Sequence, residues 1–141
     1  DLSVTTYGTF GNDIFRGFER NLNYTNKPVT VLARWTGEGT SNFEPRATFV
    51  DSNNNVRPST RYVEDGSYFK IKNVQLGYNF NVSNSKNLDA VRLYLQGKNL
   101  MTFTDYTGYD PEMSYGVLDT GIDRGNYPSP RTVSVGLNVK F

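Results

Sequence analysis

From residue 133 to its last residue, 141, this chain alternates strictly between apolar and polar side chains. The odd positions hold Val133, Val135, Leu137, Val139 and Phe141, and the even positions hold Thr132, Ser134, Gly136, Asn138 and Lys140. A period of two is that of a β-strand, whose successive side chains point to opposite faces. The segment therefore predicts a strand with one apolar and one polar face. Such a strand fits a half-buried position in a soluble sandwich, and it also fits a membrane barrel, in which the apolar face meets lipid.

The composition excludes several classes of protein. The 141 residues include no Cys and no His, so disulfide frameworks, thiol chemistry and histidine-based catalytic triads are excluded within this chain. No stretch approaches the ~20 apolar residues of a membrane-spanning helix, and a net charge of +1 gives no strong field for nucleic acid. We therefore expect no enzymatic activity, no cofactor and no nucleic-acid partner. Aromatic residues make up 14% of the chain, which suits interfacial girdles or stacking on sugars.

Period-two alternation predicts strands over about 2–10, 67–80, 90–104 and 130–141. In the second of these, the apolar phase slips at Lys72-Asn73, and a β-bulge there would restore one apolar face. Its polar side chains, Lys70 and Lys72 among them, are expected to line water. A short helix is predicted near 27–36, where Asn26 can cap it and Gly37 can end it.

The connections between these strands differ in length. The segments 11–66 and 105–129 are long, whereas 81–89 is short. Outer-membrane barrels place short turns on the periplasmic side and long loops outside, whereas a compact soluble sandwich prefers short connections throughout. If the C-terminal strand runs towards the periplasm, long and short connections fall on the expected sides. This pattern favours an antiparallel transmembrane β-barrel segment with long extracellular loops.

Several sequence blocks resemble those of one family, the SusC/RagA-type TonB-dependent transporters of Bacteroidetes, and they occur in that family's order. They read RYVEDGSYFKIKNVQLGY at 61–78, LYLQGKNLMTFT at 93–104, YTGYDPE at 106–112 and GID followed by YPSPRT at 121–132. Arg34-Trp35-Thr36 and Pro45-Arg46 resemble blocks of the preceding loop. At the end of the chain, Ser134, Gly136, Val139 and Phe141 resemble the terminal signal for barrel assembly.

The resemblance implies that residues 1–141 are the C-terminal part of the receptor barrel, with the last ~4 strands of a barrel of about 22. It implies an outer-membrane importer of bulky nutrients, oligosaccharides or peptides. The implied partners are a SusD-like surface lipoprotein, the remaining barrel and plug, outer-membrane lipid, and TonB-ExbB-ExbD acting through parts outside this segment. A soluble secreted β-sandwich that binds carbohydrate is the alternative.

Aromatic and acidic residues of the long connections are the candidate binding residues. We consider contacts to ligand or lid protein at Trp35, Tyr106, Tyr109, Tyr115 and Tyr127. Packing between loops is the competing interpretation for each of them. Carboxylates also cluster between 105 and 123, and Asp110, Glu112 and Asp123 are the residues that could bind a hard cation. We favour exposed loop charge as their explanation, so we predict no metal.

Overall fold

The computed structural model describes residues 1–19, 26–27, 29–83, 87–113 and 119–141. The fold is all-β. Its strands, in chain order, are β1 (Leu2–Thr9), β2 (Asp13–Arg16), β3 (Val63–Asp65), β4 (Tyr68–Phe80), β5 (Ala90–Thr104), β6 (Ile122–Asp123) and β7 (Thr132–Lys140). Short 3-10 turns lie at Gly17–Glu19, Val29–Ala33 and Thr60–Tyr62. In the described part of the chain, no helix is both long and apolar enough to span a membrane.

The four long strands form one antiparallel sheet in the order β1-β4-β5-β7. Their bounds agree with the alternating segments of the sequence to within two residues at each end. The register aligns the apolar positions across the sheet, so that Leu2, Leu76, Leu95 and Val135 form one row. The next row, on the opposite face, is Ser3, Gln75, Gln96 and Ser134. The sheet therefore has one apolar and one polar face.

The bulge predicted at Lys72-Asn73 is confirmed. Along β1, Thr5 pairs with Asn73 and Thr6 pairs with Ile71, so Lys72 is the unpaired extra residue. The pairing of β4 with β5 shifts at the same place, where Asn99 takes the left-handed conformation with φ 52°. An extra residue restores the alternation after a phase slip, and Val74 and Leu76 thereby return to the apolar face.

The apolar face of the sheet has no protein cover among the described residues. Leu76 is 58% exposed, Val135 72% and Leu137 60%, and the rows to which they belong contain no charged residue. A soluble sandwich would place a second sheet on this face. The described residues place nothing there.

The long connections contain a second, smaller sheet that the sequence did not predict. It has the order β3-β2-β6, with β2 antiparallel to β3 and parallel to β6. Ile14 of β2 is fully buried, so the connections have a core of their own. This sheet joins the 11–66 and 105–129 connections, which were predicted as long loops.

The short helix predicted near 27–36 is confirmed in part, because the structure has a 3-10 helix within this range. Only a 3-10 turn forms, at Val29–Ala33, and none of its residues is buried. Three successive β-branched residues, Val29, Thr30 and Val31, restrict side-chain rotamers in a helix. Because the segment also lacks a buried face, nothing offsets the cost of starting a longer helix. Pro28 lies outside the described residues.

Candidate functional site

The connection that follows β5 folds back over the polar face of β4, where an ion-pair cluster holds it. We define this cluster as Lys70, Lys72, Asp110 and Glu112. The Lys70 Nζ lies 3.0 Å from Asp110 Oδ1 and 2.9 Å from Glu112 Oε2, and the side chain of Lys70 is only 2% exposed. Lys72 also pairs with Glu112. The expectation that Lys70 lines water is therefore wrong, because the loop carboxylates cover it.

Local structure at Asp110 positions both carboxylates. The Glu112 backbone N–H donates to Asp110 Oδ1 over 3.0 Å, and the Ser129 N–H donates to Asp110 Oδ2 over 3.3 Å. The first bond closes an Asx-type turn around Pro111, a typical use of an Asp-Pro pair. A single carboxylate thus shapes the turn and binds Lys70 at the same time.

The lysines of the cluster change the pKa of the Glu112 carboxyl. Burial would raise the pKa of the Glu112 carboxyl, but the hydrogen bonds from Lys72 and Lys70 outweigh burial and lower it. Aromatic rings lie beside both ammonium groups. The Lys72 Nζ is 5.3 Å from the Tyr7 ring centroid, and the Lys70 Nζ is 6.0 Å from that of Tyr68. The rings add a weak cation–π attraction to the ion pairs.

A buried hydrogen bond closes the connection between β5 and β7 on itself. The Tyr106 hydroxyl donates to Asp123 Oδ2 over 2.6 Å, and the two residues are 6% and 2% exposed. Burial raises the pKa of Tyr106 far above its ordinary value, and the bond to Asp123 raises it further. A Cβ atom at Gly108 would lie 2.4 Å from the Tyr106 ring, so only glycine fits there.

Glu64 links the two long connections. Its carboxylate lies 3.0 Å from the Arg16 Nε and accepts a 3.0 Å hydrogen bond from the Thr107 backbone N–H. The Arg16 Nη1 donates to Thr107 Oγ1 over 2.9 Å. Together with the parallel pairing of β2 and β6, these bonds join the two connections into one unit. We call residues 13–16, 60–65, 105–113 and 119–125 the loop body.

A cavity of about 430 Å³ lies between the sheet and the loop body. Tyr7 and Tyr68 line it from the sheet, and Asp13, Glu112 and Thr120 line it from the loop body. A second cavity, of about 510 Å³, lies within the 35–55 part of the first connection, lined by Trp35, Phe43 and Arg46 among others. Both cavities are within the size range of small-ligand sites.

Comparison with curated proteins identifies relatives over nearly the whole chain. TonB-dependent receptor P26 of Formosa agariphila is 37% identical over 100% of this chain, and receptor P3 of the same organism is 36% identical over 94%. The chain belongs to the TonB-dependent receptors. It spans about a sixth of those relatives' length, 15% of P26 and 16% of P3. No family model matches the sequence.

Solved structures agree with this family at the level of fold. A chain of the RagAB peptide importer in its open-open state superposes with a TM-score of 0.74 and 22% identity, over 99% of this chain and 15% of that one. A chain of the RagAB peptide transporter gives a TM-score of 0.76 at 22% identity, covering 99% of this chain and 16% of that one. The chain therefore has the fold of part of those RagAB chains.

The predicted contact residues of this receptor segment have different environments. Tyr106 is buried, and its hydroxyl is taken by Asp123. Tyr109 stacks on Phe18 at 5.4 Å between ring centroids, Tyr127 is 92% exposed, and Arg46 lies 5.5 Å from the Trp35 ring centroid. The fifth candidate, Tyr115, lies outside the described residues. Contacts of these residues with ligand or lid stay predictions, and among the described candidates Tyr127 has the most exposed side chain.

The carboxylates considered for a cation are divided between two networks. Asp110 and Glu112 bind the lysines of β4, whereas Asp123 accepts from Tyr106 and from the Gly125 N–H, the latter over 2.8 Å. Over the described ranges, no group of three or more His, Cys, Asp or Glu side chains is suitably placed for a metal ion. The lysines and the tyrosine supply the positive charge and donors that a cation would otherwise provide.

The residues of the terminal signal lie on both faces of β7. Ser134 and Gly136 are on the polar face, Val139 is on the apolar face opposite Val91, and Phe141 is 85% exposed. The Tyr94 ring covers Gly136, because a Cβ atom at that position would lie 2.1 Å from Tyr94 Cζ. The close packing with Tyr94 gives a structural reason for glycine at 136. The assembly role of these residues stays a prediction.

Sequence reasoning missed Arg16, Glu64 and Thr107, and it missed the pairing of Lys70 with the loop carboxylates. Lys70 and Asp110 are separated by 40 residues, so no local periodicity indicates their contact. The available signal was the interrupted alternation at Lys72-Asn73. The bulge that it indicates adds the positive charge of Lys72 to the polar face. A carboxylate pair flanking Pro111 in the next connection was the complementary signal.

Proposed function

We propose that this chain contributes wall and extracellular loops to an outer-membrane receptor that imports bulky nutrients with energy from TonB. The observation that carries this proposal is the sheet, which has a charge-free apolar face on one side and a polar face holding the loop body on the other. A charge at the bilayer midplane on the lipid side costs roughly 2–4 kcal/mol. A face without such charges therefore fits lipid, and the polar face fits a water-filled lumen.

The position of the loop body indicates how the wall is oriented in the membrane. It lies next to the β1, β4 and β5 ends at Thr9, Tyr68 and Thr104, whereas Phe80 and Ala90, which flank the short connection, lie at the opposite end of the sheet. Long loops of outer-membrane barrels are extracellular. We therefore assign the loop body to the cell surface and the end of β7 to the periplasmic side.

The proposed partners follow from the structural relatives. RagAB is named a peptide importer, and its structures include an open-open and a closed-closed state. We propose a SusD-like surface lipoprotein as the lid over the loop body, and peptides or oligosaccharides as cargo. TonB-ExbB-ExbD would act through the plug, which this segment does not contain. The chain would perform no chemistry on the cargo.

Deletion of the whole receptor gene tests the proposed import. The deletion strain, a TonB-deletion strain and the parent are grown with tryptic casein peptides as the sole nitrogen source, or with mixed oligosaccharides as the sole carbon source. We expect both deletions to slow growth on one of these nutrient classes, and the receptor gene to restore growth in its own deletion strain. Equal growth of all strains on every peptide and oligosaccharide tested would contradict nutrient import.

Deletion of Phe141 tests the proposed assembly signal. We expect lower outer-membrane levels of the whole receptor, with cargo binding per assembled molecule unchanged. The control is Lys140→Ala, which alters the neighbouring polar-face residue. Normal membrane levels without Phe141 would remove the assembly role from this residue and leave the import proposal standing.

A further inference from the structure

The loop body meets the polar face of the sheet through charged groups. The Lys70 ammonium binds three oxygen atoms, Asp110 Oδ1 at 3.0 Å, Asp110 Oδ2 at 3.1 Å and Glu112 Oε2 at 2.9 Å. An ammonium group has three N–H donors, and charge-assisted hydrogen bonds are the stronger kind. The contact is therefore specific in geometry.

The β-bulge supplies the second lysine of this contact. Lys72 is the unpaired residue of the bulge, and its side chain reaches the Glu112 carboxylate while it stays 37% exposed. Bulges often re-aim a side chain in this way. Because Glu112 also lines the 430 Å³ cavity, the ion-pair cluster borders open space on one side.

The loop body is held together by a different kind of contact. The Phe15 N–H donates to the Gly121 carbonyl over 2.8 Å, which ties its two connections by backbone. The buried bond between Tyr106 and Asp123 adds a side-chain link, 2.6 Å long. Separating these groups would leave backbone and buried polar atoms without partners, which is costly.

Separating the ion-pair cluster has a different consequence. The two lysines would face the lumen and the two carboxylates would remain on the loop, so water could solvate all four groups. Rehydration of the separated charges offsets much of the energy that the buried ion pairs contribute. The loop body can therefore leave the wall as one unit, while its internal bonds stay intact.

We propose that the ion-pair cluster is a releasable latch, which holds the loop body against the lumen wall and opens when bulky cargo passes. The proposal rests on the import function proposed above. It assigns Lys70 and Lys72 a role in conformational change, with Asp110 and Glu112 as their partners on the moving part. The cavity between sheet and loop body would widen on opening.

Amine labelling of the whole receptor tests whether the latch is closed at rest. Outer-membrane vesicles are treated with a membrane-impermeant succinimidyl ester, and labelling of each lysine is followed by mass spectrometry. We expect Lys70 to be labelled roughly tenfold more slowly than the exposed Lys98 of the same face. The double variant Asp110→Asn/Glu112→Gln should bring Lys70 close to the Lys98 rate.

The matched control for the labelling experiment is Asp119→Asn. Asp119 pairs with Arg124 at 2.6 Å on the exposed side of the same connection, outside the cluster. This variant should leave Lys70 protected. Equal labelling of Lys70 and Lys98 in the unmodified receptor, or continued protection of Lys70 in a double variant that assembles normally, would overturn the latch.

A reversible crosslink tests whether the latch must open. The variant Lys72→Cys/Glu112→Cys is bridged by a reducible bis-thiol reagent, and growth on the casein peptides and oligosaccharides is compared before and after reduction. We expect the bridged receptor to import several-fold more slowly than the same receptor after reduction. The two single-cysteine variants, treated identically, control for modification without bridging.

The outcomes of the crosslink separate the two proposals. Equal import by bridged and reduced receptor would overturn the opening step while supporting import itself. If the unmodified receptor supports growth on none of the nutrients, the import proposal fails. In that case the labelling experiment alone, through the protection of Lys70, decides whether the closed latch exists.

Discussion

The sheet and the loop body use opposite solutions to the problem of burial. On one face of the sheet, apolar side chains such as Leu95 and Leu137 are exposed at the protein surface. The loop body instead buries Ile14, Tyr62 and Tyr106 among its own segments. A barrel wall can take its apolar environment from lipid, whereas a loop in water must supply its own core. Exposed apolar side chains are therefore expected on a barrel wall, whereas the apolar side chains of the loop body are expected to be buried.

The two regions also satisfy their polar groups differently. In the sheet, backbone ladders between long strands pair most N–H and C=O groups. In the loop body the strands are short, and side chains such as Glu64 and Asp123 accept backbone N–H bonds. Buried polar groups need partners in either case, so losing one side chain should harm the loop body more than the sheet.

A charge on either face of β5 gives the sharpest test of the lipid-facing assignment. Leu95 and Gln96 are neighbours in sequence and lie on opposite faces. We expect Leu95→Arg to destabilise the assembled receptor by about 2–4 kcal/mol, the cost of a cation at the lipid midplane. Gln96→Arg should cost far less because it faces the lumen. Both are measured by outer-membrane level and by urea unfolding in lipid vesicles.

The outcome decides what covers the apolar face. If Leu95→Arg and Gln96→Arg both assemble and unfold like the unmodified receptor, both faces meet water or protein, and the lipid assignment fails. Loss of both variants to the same extent would instead indicate that β5 tolerates no arginine on either side. Leu95→Val separates packing from charge, because it should retain most of the stability.

Sequence reasoning succeeded in the sheet because the relevant signals are local. Alternation predicted the four long strands, and the slip at Lys72-Asn73 predicted the bulge. It failed in the connections, where β2 pairs with β6 through Phe15 and Ile122. These strands are too short to show a period, and their partners lie far apart in the chain. The helix predicted near 27–36 is limited to the 3-10 helix at Val29–Ala33, because local spacing alone does not provide a buried face.

The residues of the candidate site show the same difference between local and long-range signals. The aromatic residues were recognisable by type, but only the fold distinguishes buried Tyr106 from exposed Tyr127. The acidic residues were recognised as a cluster, whereas their partners on β4 were not. A residue's type thus indicated what it could bind, and long-range pairing determined what it does bind.

Removal of the Tyr106 hydroxyl tests the internal bonding of the loop body. Tyr106→Phe keeps the ring and leaves the buried Asp123 carboxylate without its 2.6 Å donor. We expect a local loss of about 1–3 kcal/mol, the usual cost of an unsatisfied buried group. Hydrogen exchange of residues 104–125 in the whole receptor measures it. Tyr109→Phe is the control, since its side chain is exposed, and equal exchange in the two variants would show that the Asp123 bond contributes nothing.

Acid should weaken the contact between the two regions, with the smallest effect of the three. The lysines hold the pKa of Glu112 below its ordinary value of 4.5. A lowered folded-state pKa adds stability that is complete above the ordinary value and is lost as the pH falls through the lowered one. Glu112 faces Lys70 and Lys72, with Asp110 beside it. We expect protection of residues 105–113 from hydrogen exchange, corrected for intrinsic rates, to decrease below about pH 4, by about 1 kcal/mol or less.

In Glu112→Gln the protection should be lower at neutral pH and should change less with acid. An unchanged pH profile in this variant would mean that another group, and not Glu112, controls the contact between wall and loop body.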